Sequence, residues 1–166
     1  MKRSFLRICI LWLIASSMSS CQNNVLYEKN EPVQVSGWDM TDTLEYKIEV
    51  KDISKYYNLS VNVRHRDVFN FMNFYIKIIT ITPSKTVKED VVSIPLADDG
   101  GTWLGKCSGD ICFYRTTILK KFKFDEPGTY IFKINQEMRV ESLENITDIG
   151  LRVEESPKKI YKEDEE

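Results

Sequence analysis

The chain has 166 residues, 29% of them charged and 42% hydrophobic, and 23 Lys and Arg stand against 25 Asp and Glu. Lys2, Arg3 and Arg7 precede an apolar run and read as export-signal charge, which leaves a mature formal charge of 20 − 25 = −5. That balance, with Lys47 and Lys51 alternating with Glu45 and Glu49, excludes the concentrated basic face a nucleic-acid binder needs. The length holds one domain of ordinary size.

Residues 1–20 have the shape of a secretory signal: the basic start, the run Ile8 to Ala15, then Ser16 to Ser20 before Cys21. The run is far shorter than the roughly 20 residues a spanning helix needs. Met18-Ser19-Ser20-Cys21 resembles a bacterial lipobox, which implies lipidation of Cys21 after cleavage. An ordinary signal with an incidental cysteine is the alternative. Each buried CH₂ contributes about 0.8 kcal/mol and stable anchoring takes more than one chain, so a triacylated Cys21 holds the domain on a lipid bilayer. Residues 22–36 show no apolar period, and with Cys21 they read as a flexible tether over 21–36 with a reach of roughly 20 Å. Gln22 is not the aspartate of an inner-membrane retention signal, and no acidic export run follows Cys21. The expected location is the outer membrane facing the periplasm, with the inner membrane second.

The body reads as strands. Leu44, Tyr46, Ile48 and Val50 alternate with charged residues, and Tyr57, Leu59, Val61 and Val63 alternate with polar ones. Residues 71–82 are apolar on both parities, which predicts a central strand buried on two sides. Residues 87–96 contain Pro95 and read as an edge. Asp98-Asp99-Gly100-Gly101 marks a turn, residues 111–124 supply one long strand or two shorter ones, and Glu126-Pro127-Gly128 turns the chain again. Tyr130, Phe132 and Ile134, then Ile149, Leu151 and Val153, complete the pattern, with one helical turn expected over 140–145. About eight strands predict an all-β antiparallel β-sandwich over 37–155, of the jelly-roll or immunoglobulin-like kind, with a barrel as the alternative. Residues 156–166 read as a charged, disordered tail.

A search for chemistry finds no assembled active site. His65 is the only histidine, so any nucleophile–histidine catalysis rests on it alone. It continues the inward parity of β-strand residues 57–63 and reads as structural. Cys107 and Cys112 bracket Ser108-Gly109-Asp110-Ile111 and read as a disulfide across the mouth of a hairpin, with free thiols the alternative. They lack the partners of a zinc site and the spacing of a redox C-x-x-C. Asp98-Asp99 caps a turn, and the alternating acids of an EF-hand are missing. There is no phosphate loop or nucleophile elbow. No metal, cofactor, small-molecule substrate or enzymatic activity is expected. Trp38 and Trp103 each sit beside glycine in a loop. They serve either as exposed aromatics for a partner or a sugar ring, or as plugs of the sandwich core.

In order along the chain, the lipobox, Gly37-Trp38, Asn73-Phe74-Tyr75-Ile76, Pro95-Leu96-Ala97-Asp98 through Gly101-Thr102-Trp103-Leu104-Gly105, Gly128-Thr129-Tyr130, Gln136-Glu137-Met138-Arg139 and Asp148-Ile149-Gly150-Leu151-Arg152-Val153-Glu154 resemble the gliding-motility lipoprotein GldH family of the Bacteroidetes. The resemblance runs from about Trp38 to Glu154. It implies a non-enzymatic, membrane-anchored periplasmic component of the gliding apparatus, associated with type IX secretion and with protein partners there. It does not imply that the host glides. Cys107 and Cys112 fall outside the family pattern. Asp42-Thr43-Leu44 resembles the O-glycosylation signal of exported Bacteroidetes proteins, which makes Thr43 a candidate acceptor. Trp38, Trp103, Arg139 and Arg152 are the candidate interaction surface, Arg because its planar fork makes several directed hydrogen bonds. The competing function is a glycan-binding lipoprotein of a polysaccharide-uptake system, which requires both tryptophans exposed on one face.

Overall fold

The computed structural model describes residues 24–34 and 36–157, and among them every regular element is a strand: β1 Val25–Pro32, β2 Trp38–Asp39, β3 Leu44–Val50, β4 Tyr57–Arg66, β5 Asn73–Ile81, β6 Val87–Pro95, β7 Lys106–Ser108, β8 Ile111–Phe122, β9 Gly128–Gln136, β10 Ser142–Leu143 and β11 Ile146–Glu155. A five-stranded sheet has the order β1-β11-β4-β8-β7 and a four-stranded sheet the order β3-β9-β5-β6, with β2 and β10 paired as a short ribbon. All pairings are antiparallel. The chain changes sheets between β3 and β4, β4 and β5, β6 and β7, and β8 and β9, and passes between them through β2 and again through β10, so the two sheets form a sandwich and do not close into the alternative barrel.

Period-2 alternation builds the two layers. Tyr57, Leu59, Val61 and Val63 of β4 and Ile149, Leu151 and Val153 of β11 are buried from one sheet, and Tyr46, Ile48, Phe74, Ile76, Phe132 and Ile134 meet them from the other. Each such side chain contributes about 1.5–3 kcal/mol relative to leaving it exposed. The buried Tyr46 hydroxyl donates to the Ile149 carbonyl at 2.8 Å, a polar link from β3 to β11 across the core.

Four expectations are corrected. Residues 25–32 are not tether but strand β1, paired with β11 from Val25↔Glu154 to Pro32↔Asp148; alternation is weak there because an edge strand buries little. Residues 140–145 form no helical turn, since Ser142 and Leu143 pair with Asp39 and Trp38. The strand expected over 71–82 begins at Asn73 and is central, but only one face is buried, leaving Tyr75 41% exposed and Ile79 and Ile81 partly so. The strand count rises to eleven because β1 and the short β2, β7 and β10 carry no periodic signal. The predicted edge strand β6 does lie at a sheet edge and ends at Pro95. The signal, Cys21 and residues 158–166 of the expected tail lie outside the described residues.

The register gives the sandwich two distinct ends. Val25, Tyr57, Phe122, Gly128 and Glu155 lie at one, which we call proximal because the described chain enters there. Pro32, Arg66, Pro95, Ile111 and Gln136 lie at the other, the distal end.

Candidate interaction surfaces

The distal end is built from two loops that hold each other. The chain leaving β4 turns at Phe69 N, which donates to Arg66 O at 3.1 Å, and Asp67 N reaches across to Asp110 O at 2.9 Å. Leu96 N donates to Met72 O at 2.7 Å and Leu104 N to Leu96 O at 2.8 Å, while Ala97 and Trp103 form a bridge. Asp98 organises the turn as expected: its Oδ1 accepts from Gly100 N at 3.0 Å and Thr102 N at 2.8 Å. Gly105 is required by space, since a Cβ there would meet the Phe113 carbonyl oxygen at 2.6 Å. This scaffold leaves Val68, Met72 and Leu104 exposed, at 62%, 45% and 45%.

The charge of this end is one-sided. Segments 36–43, 66–72, 96–110 and 137–145 carry nine carboxylates (Asp39, Asp42, Asp67, Asp98, Asp99, Asp110, Glu137, Glu141 and Glu144) against the basic Arg66, Lys106 and Arg139. Exposed apolar side chains among like charges make this end a candidate interaction surface.

Beneath it lie His65 and Cys112. His65 is 0% exposed, and its Nδ1 donates to Arg66 O at 2.8 Å, so Nε2 carries the lone pair and has no hydrogen-bond partner. Burial pushes its pKa below the ordinary 6.5, against the weaker raising effects of that hydrogen bond and of Asp67. The imidazole packs edge-on against Trp103 at 4.6 Å between centroids and near Phe69 at 5.6 Å. Across the ladder His65 faces Cys112, which is bonded to Cys107 as a disulfide across the β7–β8 hairpin. Among the described residues His65 thus packs as a strand-end residue against Trp103 and Phe69.

A second polar cluster covers the outer face of the five-stranded sheet. The register sets Asn30, Gly150, Asn62 and Arg115 in one row and Glu28, Arg152, Ser60 and Thr117 in the next. Asn62, only 1% exposed, donates through Nδ2 to Glu28 Oε1 at 3.1 Å and Asn30 Oδ1 at 3.0 Å, and its Oδ1 accepts from Arg115 Nε at 2.7 Å. Gly150 opens the space for this, because a Cβ there would lie 1.8 Å from Asn30 Oδ1 and 3.0 Å from Asn62 Cβ. Glu28 accepts from both Arg115 and Arg152, and Arg152 also grips Glu154 at 2.7 and 2.8 Å. Burial works against the Glu28 charge, but hydrogen bonds from Arg152 and Asn62 and the charge of Arg115 outweigh it, holding the carboxyl below its ordinary range. The outward residues of Asp148 to Glu154 thus join β1 to the sheet.

The sequence-predicted surface residues do not form one patch. Trp38 is 1% exposed, its Nε1 donating to Asp42 O at 3.0 Å, and it packs on Phe74, so it plugs the core. Trp103 is half-buried with its Nε1 donating to Asp67 O at 3.2 Å. The paired exposed tryptophans a glycan platform needs are absent. Arg152 is half-buried in its ion pairs and is removed from the docking surface. Arg139 is exposed at the distal end, and exposed Thr43 accepts from Asn135 Nδ2 at 2.7 Å. Val68, Met72 and Leu104 escaped sequence reading because an apolar residue in a loop looks the same whether buried or exposed. Among the described residues no group of His, Cys, Asp and Glu is arranged to hold a metal.

The GldH lipoprotein family model matches residues 25–153, from the first residue of β1 into β11. The chain is 32% identical over 157 residues to the gliding motility lipoprotein GldH of Flavobacterium johnsoniae, covering 88% of this chain and 94% of that protein. It is 27% identical over 161 residues to a gliding motility lipoprotein GldH homolog of Christiangramia forsetii, covering 93% and 98%. Among solved structures, infectious bursal disease virus Gx strain matches at TM-score 0.34 and 16% identity over 78% of this chain and 30% of that chain, too slight a likeness to carry an argument. The family match begins where β1 begins, so the strand stapled by Glu28 is part of the shared unit, and the chain belongs to the GldH lipoprotein family.

Proposed function

We propose that this chain is a non-enzymatic adaptor of the gliding-motility and type IX secretion apparatus, anchored in the cell envelope through acylated Cys21 and presenting its distal end to a protein partner. The outer membrane facing the periplasm is the proposed location. The observation that carries the reading is the distal end itself: Val68, Met72 and Leu104 exposed on hydrogen-bonded loops within an acidic rim. Family membership supplies the machinery, and the chemistry of the end supplies the class of partner, a protein with an apolar contact ringed by basic groups.

The test is site-specific photo-crosslinking in the native envelope from position 68 or 104, with position 47 on the outer face of β3 as the control and a Cys21→Ala form as the unanchored reference. Recovery of gliding or secretion components from positions 68 and 104 of the anchored protein alone is the expected result. Equal recovery from position 47, or none from any position, would remove the assignment.

A further inference from the structure

The proximal end carries the opposite charge. Segments 51–56, 82–86, 119–127 and 155–157 hold Lys51, Lys55, Lys85, Lys120, Lys121 and Lys123 against Asp52, Asp125, Glu126 and Glu155. Lys55 is held by Asp52 and Glu155, and among the described residues the other five lysines have no carboxylate partner. Beside them Ile53 is 38% and Tyr56 53% exposed, with the Lys123 ammonium 4.7 Å from the Tyr56 ring centre. A chain of contacts ties this patch to the point where the described chain starts: Glu155 N donates to Asn24 O at 2.7 Å and Ser156 N to Tyr56 O at 2.7 Å.

We infer that this lysine and tyrosine face is a membrane-docking surface for anionic phospholipid headgroups of the leaflet that holds the Cys21 acyl chains. The inference rests on the proposed anchor and adds the orientation of the domain on it. Asn24 is three positions after Cys21, a span of about 11 Å at full extension. With β1 in the sheet there is no long tether, so the proximal end sits within about one or two Debye lengths of the bilayer at physiological salt. That is close enough for the face to settle onto the bilayer, where each lysine strengthens attraction to an anionic leaflet roughly fivefold, and an exposed Tyr and Ile suit the headgroup boundary. The acidic distal end would be repelled if it were turned toward the same surface. It is held away by the ten residues of β4, about 33 Å at strand rise, where a partner can reach it.

The test uses the full-length protein, processed in its own envelope, purified and reconstituted into vesicles of zwitterionic lipid with or without anionic phosphatidylglycerol. A fluorophore is attached through Asp125→Cys at the proximal end or Asp99→Cys at the distal end, the native cysteines remaining oxidised. Access of an aqueous quencher to position 125 should fall severalfold relative to position 99 on anionic vesicles. The protection should disappear when Lys120, Lys121 and Lys123 are changed to Glu or the salt is raised. Equal access at both positions in anchored protein overturns the orientation while leaving the anchor intact. Protection that is the same on zwitterionic vesicles and is lost on truncation after Pro157 assigns the face to the C-terminal residues and also overturns it. Protein that carries no acyl mass and fails to float with vesicles removes the anchor, and this inference with it.

Discussion

Arg152 on the last strand donates to Glu28 on the first, 124 residues away in sequence and directly opposite in the sheet register. The pair closes the five-stranded sheet at the strand that follows the proposed anchor, so a pull on the N-terminus is resisted by a side-chain clamp as well as by ladder hydrogen bonds. Arg115 and Asn62 share the same carboxylate, so β1, β4, β8 and β11 are joined by one acidic group.

Glu28→Gln should lower stability by about 1 kcal/mol at neutral pH, a figure already discounted for the partial exposure of the cluster. Since the folded carboxyl lies below its ordinary 4.5, its contribution is complete above that value and is lost as pH falls through the folded pKa. Urea melts of both proteins should therefore converge under acid conditions. A gap that stays constant there would show that the Glu28 charge is not what holds β1.

His65 opens a separate pH window. Its folded pKa is depressed below 6.5 by burial, so the unfolded chain binds a proton that the folded chain excludes. Stability is full above 6.5 and falls as pH drops below it. As the only histidine, it dominates this range. His65→Phe should flatten that slope while costing little at higher pH, because it removes an unpartnered nitrogen and leaves Arg66 O still accepting from Phe69 N at 3.1 Å. Denaturation of both proteins across the window checks this, and an unchanged slope would assign it to another group.

Sequence patterning reads the fold class well where one face is buried and the other wet, as in Leu44–Val50. It fails at β1 because Val25–Pro32 lies at an edge with no residue fully buried, and at β5 because apolar outward residues such as Ile79 and Ile81 imitate a second buried face. The candidate surfaces were less legible. Trp38 and Arg152 have side chains suited to docking, but long-range geometry places one in the core and engages the other with Glu28. Asn62 carries outward parity and is nevertheless buried, because Gly150 beside it leaves room for Asn30 to cover it.

The Cys107–Cys112 bridge closes a ring too short to contribute more than about 2 kcal/mol by loop entropy. Exchanging both cysteines in Cys107→Ser/Cys112→Ala should lower stability by that order, with the loss concentrated at β7, which pairs only with β8. Hydrogen exchange should show faster exchange at residues 106–113 and little change in β3 or β9. Uniform loss of protection in both sheets would instead make the bridge a global constraint on the core.

The distal end separates binding from folding. Val68, Met72 and Leu104 are exposed, so changing all three to Ser should shift stability by only a few tenths of a kcal/mol per site. If they form the centre of a partner interface, the same change removes a group of apolar anchors, and interface energy concentrates in a few such residues. The triple variant should keep its melting behaviour while crosslinked partner is no longer recovered. Asp99→Asn should act differently, slowing association and weakening its salt dependence, because a rim carboxylate steers a basic partner and lies outside the Asp98 turn bonds. Partner recovery that survives the triple change, with stability equally unaffected, would move the interface off this end and onto the outer face of the four-stranded sheet, where Tyr75 is exposed.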